Sequence, residues 1–297
     1  MASSVISWLW QGNRIEIGVD SRGTGPAVLM LPALSAISTR AEMHPLAEQL
    51  ASTFTTISVD WPGFGDRPRP SVAWTPEAYR TFLKHVLREL PKATATIAVG
   101  HGAGYLVAHA AEHPGSAGRL CLVAPTWRGP LPTMMGRRHG MFRLVSKLID
   151  VPGVGSALYR LNVNQPMIRM MARGHVYADP GWLNKRRLIE KLAVTNAPGA
   201  RHASFRFVAG ELDPMSTREQ FLATVGRVTD PILVVYGAAS PKRSKAEMEA
   251  LASFRNVQLR ELPVGKLAIH EEFPSLVADT VRPFLGGVGL EAKRNDL

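Results

Sequence analysis

The stretch VGHGAGYLVAHAAEHP, Val99 to Pro114, joins an apolar strand-like run to a helix-like one through GHGAG, residues 100–104. A sharp strand-to-helix turn flanked by glycines is a site from which a nucleophile can be held out of the backbone, because small neighbours let strand and helix approach closely. The central position is Gly102, which has no side chain to attack with and adopts positive φ at little cost. Acid or base work would fall to His101 beside the turn, to Asp213 in AGELDPMS, or to His270 in GKLAIHEEFP. Each has a plainer structural role available, as packing behind the turn, as a turn or cap residue before proline, and as a surface or helix-start histidine. Ser35, Ser38 and Ser240 carry hydroxyls, but none sits in a comparable turn. GHGAGY also invites comparison with dinucleotide-binding turns. That fingerprint requires a third glycine where this chain has Tyr105, and an acidic end to the next strand where this chain reads LVAPT. His109 and His113 lie one helical turn apart with only Glu112 as a nearby carboxylate, which reads as an exposed helix edge. No metal and no cofactor are expected.

The frame that must position these residues is large. The chain has 297 residues, 45% of them hydrophobic, enough for one large core or a core with a cap. A single cysteine, Cys121, excludes an internal disulfide framework and fits a reducing compartment. The start, MASSVISWLWQGNR, lacks the basic and long apolar regions of a signal peptide, and no run reaches the length of a membrane span. A cytoplasmic protein, or one peripheral at a membrane surface, is expected. The net charge of +11 is concentrated: residues 126–203 hold thirteen Lys and Arg against Asp150, Asp179 and Glu190, which is +10. That segment is either a solvated helical surface or attractive to an anionic lipid surface, an acidic ligand or an acidic protein. Nucleic acid is not expected, since the basic residues alternate with methionine and leucine and no nucleic-acid module is visible.

Apolar runs at 14–19 (RIEIGV), 27–32 (AVLMLP), 55–60 (TTISVD), 96–100 (TIAVG), 120–125 (LCLVAP), 232–237 (ILVVYG) and 257–262 (VQLREL) predict strands, most of them buried on both faces. Helical patterns separate them: AEMHPLAEQLAS, TPEAYRTFLKHVLREL with Thr75 as N-cap and Pro76 at the first helical position, GYLVAHAAEH, and FPSLVADTVRPFL. This is the rhythm of an open α/β fold with a mostly parallel sheet flanked by helices. It breaks between 126 and 203, where MFRLVSKLI and MIRMMARGHVY carry helical spacing instead. An insertion there would lie over the carboxyl edge of the sheet, where ligands bind in such folds.

Three stretches together carry a resemblance over nearly the whole chain: VDWPGFGDRPRP (59–70), the GHGAG turn, and the closing HEEFPSLVADTVRPFL. The chain resembles α/β-hydrolase-fold proteins with a helical cap, the core at 1–125 and 204–297 and the cap at 126–203. In that family the turn reads GxSxG, and an acid and a histidine complete the triad. The resemblance places the nucleophile at Gly102, the acid at Ser240, and the base at Lys266 or Leu267, with His270 where members often carry a second histidine. Pro32 and Ala33 stand where the oxyanion loop begins with HG. The triad therefore reads as degenerate, and GxGAG is similar to the NDRG-type non-catalytic members.

Two functions from different classes follow. One is a binding or scaffolding protein that holds a small apolar or anionic molecule between the elbow and the cap, or docks the cap on an acidic surface. The backbone N–H of Ala103 and one from the Ala33 to Leu34 loop would converge on a ligand oxygen. Pro32, Gly102, Trp127, Met141 and Met170 would line the site, with Met134, Met135, Met167, Met171, Phe142 and Tyr159 nearby in the cap. The other is a hydrolase or cofactor-independent lyase for ester, lactone or similar acyl substrates, with His270, His101 and Asp213 as relocated acid/base groups. A third is an interaction protein whose pocket is filled by its own side chains.

Overall fold

ATIAV and ILVVYG are buried at every position, and such runs fold only as inner strands covered on both faces. In the computed structural model, which describes residues 1–135, 149–151 and 153–287, they lie in an eight-stranded sheet. The strands are β1 (Ala2–Trp10), β2 (Asn13–Arg22), β3 (Ala27–Leu31), β4 (Thr55–Val59), β5 (Ala95–Val99), β6 (Arg119–Val123), β7 (Ile232–Gly237) and β8 (Val257–Leu262). Their order is 1-2-4-3-5-6-7-8; β1–β2 and β2–β4 are antiparallel, and every other pairing is parallel. All seven expected strands form. β1 was not anticipated: ASSVISWLW is mostly exposed, and its register with β2, Ile6 opposite Ile17, is what makes it a strand.

Helices cover both faces. On one, α2 (Pro76–Glu89) and α3 (Gly102–Glu112) pack Tyr79, Phe82, Tyr105 and Leu106 against Trp8 and Trp61. Thr75 caps α2 by accepting from the Ala78 N–H, as its position before Pro76 implies. On the other, α1 (His44–Leu50) and the final helix Pro274–Leu285 bury Leu46, Leu50, Val277 and Val281. AEMHPLAEQLAS is not one helix. Residues Arg40–Met43 form a 3-10 turn capped by Thr39, and the α-helix starts at His44 with Pro45 in its first turn.

Between β6 and β7 the described residues contain helices and no strand: Pro130–Met135, Val154–Asn162, Gln165–Met171, Lys185–Asn196, Ala200–Val208 and Arg218–Val225. Asn164, Asn184 and Thr217 cap the helices that follow them. Helix Ala200–Val208 runs continuously through residue 203, the expected cap boundary. MIRMMARGHVY is helical only to Met171; a π-type turn over Ala172–Val176, closed by Tyr177 N–H to Ala172 O at 2.9 Å, ends it at an extended Tyr177. The MFRLVSKLI helix lies outside the described residues except for Ile149. No helix among the described residues is long and apolar enough to cross a membrane.

One buried arginine joins the 3-10 turn to the sheet. The Arg40 guanidinium donates to Asp20 on β2 at 2.9 Å, to Asp66 at 2.7 and 2.9 Å, and to Asp60 at the end of β4; its own N–H reaches Asp60 at 2.7 Å. Burial pushes the Asp60 carboxyl up despite Arg40, whereas the Arg40 hydrogen bonds hold exposed-side Asp66 below its ordinary value. Removing one member of such a buried cluster strands the others. Arg40→Met is expected to lower unfolding free energy by about 3–5 kcal/mol in urea titration. Arg40→Lys should recover only part of it, because an ammonium cannot bridge three carboxylates in a planar fork.

Candidate active site

The turn after β5 differs from the expected one. Its left-handed residue is Gly100, at φ +53°, and Gly102 already opens α3. A Cβ built on Gly100 would meet the Ala33 Cβ at 3.4 Å, an ordinary contact. One built on Gly102 would lie 2.9 Å from the Pro32 carbonyl oxygen and 3.2 Å from the Trp61 ring. Trp61 donates its Nε1–H to that same carbonyl at 2.8 Å. The space a side chain at 102 would need is filled.

Of the expected oxygen-binding donors, the Ala103 N–H and the Ala33 N–H of the Ala33 to Leu34 loop have partners within the chain. Ala103 N–H points to Gly100 O at 3.2 Å, and Ala33 N–H to Glu42 Oε1 at 2.6 Å. Glu42 belongs to the 3-10 turn and is buried beside His270, whose Nε2 lies 3.5 Å away. Burial alone would raise the Glu42 carboxyl; His270, Lys191 and Ser38 outweigh it and hold the carboxyl below its ordinary value. Lys191 descends from cap helix Lys185–Asn196 and donates to both oxygens of Glu271, at 3.1 and 2.9 Å. Tyr177 Oη–H donates to the same carboxylate at 2.9 Å. Opposed charges thus share one buried site beneath the cap.

The cap is fastened there by its backbone. Leu267 N–H and Ala268 N–H reach His175 O and Val176 O at 3.5 and 3.0 Å, and Lys266 Nζ reaches Arg173 O at 2.7 Å. Glu272 accepts the N–H of Ala178 at 2.9 Å and of Asp179 at 2.5 Å. Ile168, Tyr177, Leu183 and Leu188 of the cap pack with Ala268 and Ile37 of the core.

His270 and Glu42 come together, as do His101 and Asp213. His270 stands in the short helix Ile269–Glu272, as a helix-start histidine, but is 1% exposed rather than at the surface, with Glu271 and Glu272 bonded to cap groups. Its Nδ1 has no hydrogen-bond partner among the described residues. His101 packs behind the turn against Tyr105 and Phe207, with Nε2 3.0 Å from Leu212 O and 3.6 Å from Asp213 Oδ1. Asp213 Oδ1 accepts the Gly129 N–H at 2.7 Å, so it holds the loop after β6. Ser240 follows β7 with its hydroxyl buried and unpartnered among the described residues. Leu267 packs against the main core.

Of the expected ligand-lining residues, Pro32 and Gly102 face each other. Leu34 is fully buried, and Trp127 stacks on Phe221 at 5.8 Å. Met135, Met167 and Met170 are exposed, while Tyr159 is buried and donates to Thr195 O. Met141 and Phe142 lie outside the described residues. Glu42, Lys191, Glu271 and Tyr177 were not anticipated. Only the EE pair after His270 signalled them. Glu42, His270 and Glu271 have ligand-type atoms within 4.8 Å of one another, but Lys191 already occupies Glu271 as its cation.

The model of the alpha/beta hydrolase family matches residues 28–280. Over 121 residues the chain is 32% identical to a 2-(acetamidomethylene)succinate hydrolase of Mesorhizobium japonicum, a match spanning 38% of this chain and 42% of that protein. Among solved structures, Cfl2 of Burkholderia cenocepacia superposes with a TM-score of 0.71 at 19% identity, covering 95% of this chain and 96% of that one. A thermophilic esterase of Thermogutta terrifontis gives 0.68 at 20%, covering 96% and 98%. The epoxide hydrolase CorEH gives 0.69 at 17%, covering 96% and 99%. At these identities the structural likeness concerns the fold.

Because the Glu42 carboxyl is depressed in the folded state, the stability it contributes is present above its ordinary value of 4.5 and is lost as pH falls below that value. Urea midpoints measured from neutral pH downward should fall through this range, and Glu42→Gln should flatten the slope. Lys191→Met, which strands Glu271 and Glu42, is expected to cost about 3–5 kcal/mol at pH 7.

Proposed function

From the premise that this chain belongs to the alpha/beta hydrolase family, whose model covers residues 28–280, we propose that it works as a binding or scaffolding member with a degenerate triad. The observation that carries the reading is the Ala33 N–H spent on the buried carboxylate of Glu42 at 2.6 Å. An oxyanion hole acts by offering unsatisfied donors to developing negative charge. Here a fixed negative charge of the protein already takes the Ala33 N–H of the Ala33 to Leu34 loop, and Gly100 O takes the Ala103 N–H.

The three triad positions agree with this. Gly102 offers no nucleophile, buried Ser240 has no carboxylate to hold an imidazolium, and Leu267 cannot accept a proton. The packing of Ile168, Tyr177 and Leu188 onto Ala268 and Ile37 favours a region filled by the chain's own side chains over one kept open for a small ligand. Its partner on this reading is met by the molecule's surface.

A second reading rests on one observation, the unpartnered Nδ1 of buried His270 beside Glu42. That pair could activate a water in a hydrolase of unconventional layout, in keeping with the names of the relatives.

One experiment separates them: hydrolysis of p-nitrophenyl esters and lactones from pH 5 to 9 by the wild-type protein, Gly102→Ser and His270→Ala. The expected result is no turnover above background in any of the three. Gly102→Ser should also lose about 1–3 kcal/mol of stability, because its Cβ enters the space between the Pro32 carbonyl and Trp61. A wild-type rate that disappears in His270→Ala would replace the scaffold reading with the enzyme.

A further inference from the structure

The cap's apolar residues divide into two sets. Tyr159, Ile168 and Leu188 turn inward to the cap's own clusters. On the same helices Val154, Leu161, Met167, Met170 and Ile189 are exposed, Leu161 by 72% and Met170 by 58%. Ile168 and Met170 are separated by about 200° around their helix, as are Tyr159 and Leu161, so the exposed residues point away from the clusters their helices bury. Exposed cations lie on the same elements: Arg160 on helix Val154–Asn162, Lys185 and Arg186 on helix Lys185–Asn196, and Arg173 in the turn after Met171. Arg160, Arg173 and Lys185 enter no ion pair among the described residues, and Arg186 has only an exposed contact with Glu190 at 3.7 Å.

We propose that the outer face of the cap is a docking surface for an anionic lipid bilayer. Large apolar side chains projecting singly from helices, interleaved with unpaired cations, match the boundary between acyl chains and acidic headgroups. Leu161, Met170 and Ile189 enter the acyl margin, and the basic stems lie along it with their charges among the phosphates. A second copy of the chain is the weaker occupant, because it would bring two faces of like charge together. The docking stands whether or not the chain turns over an ester, since none of these residues belongs to the Glu42 site.

The test is flotation of the full chain with phosphatidylcholine vesicles, with and without about 30 mol% phosphatidylglycerol. The expected result is capture by the anionic vesicles only, weakened by about 0.5 M salt. The quadruple variant Arg160→Glu/Arg173→Glu/Lys185→Glu/Arg186→Glu should lower the partition at least about tenfold. Leu161→Ala/Met170→Ala/Ile189→Ala should lower it with the charge unchanged, and circular dichroism should show both variants folded. Equal capture by the two vesicles, or capture indifferent to both variants, would overturn the proposal. So would no capture by either vesicle, whether light scattering then gives a dimer that covers the face or a monomer left for an acidic protein.

Discussion

A carboxylate sealed from water must be met by donors and cations or it costs several kcal/mol. At the carboxyl edge of this sheet that carboxylate is Glu42, and three separate parts of the chain meet it. The loop after β3 brings the Ala33 N–H, the short helix after β8 brings His270, and the cap brings Lys191. Its own position is set by the 3-10 turn, which Thr39 caps and Arg40 ties to Asp20 and Asp60. Sheet, final helices and cap are therefore registered against one negative charge. If one of them shifts, a charge is left unpaired.

Such a network is a poor source of net stability, because the desolvation of Glu42, Lys191 and Glu271 offsets much of their attraction. The bulk of the stabilisation comes from the apolar layers on the two sheet faces, at about 25 cal/mol for each Å² of apolar surface removed from water. What the network supplies is position. The cap could slide on Ile168 and Leu188 alone, since apolar contacts are not directional. Lys191 on Glu271, Glu272 on two cap N–H groups, and the backbone pairing of residues 267 and 268 with 175 and 176 allow one placement.

The inner strands were legible because burial on both faces leaves uninterrupted apolar runs, and α2 because Thr75-Pro76 marks its start. β1 was not, since an edge strand with one wet face leaves only a few apolar residues and shows itself through its partner. The strand-to-helix turn at 100–104 could be read along the chain, since it joins β5 to α3. The polar cluster could not: Glu42, Lys191 and Glu271 are far apart in sequence, and each alone looks like an ordinary solvated charge. His270 does lie at a helix start, but its burial was hidden for the same reason. Two glutamates beside it suggest water, yet both point at cap donors. Composition counts the methionines without telling which face of a helix they occupy.

The altered turn and the occupied donor are parts of one arrangement. Without a side chain at 102, the Trp61 ring can sit over the start of α3 and donate to the Pro32 carbonyl. That bond fixes the peptide whose next N–H, on Ala33, is directed to Glu42. The left-handed residue of the turn is Gly100, where a Cβ would meet only Ala33 at normal contact distance. The loop facing residue 102 is held by an internal acid, Glu42. A side chain at position 102 would therefore meet the Trp61 ring and a carbonyl already committed to it, so packing at the start of α3 and the hold on the Ala33 loop depend on each other.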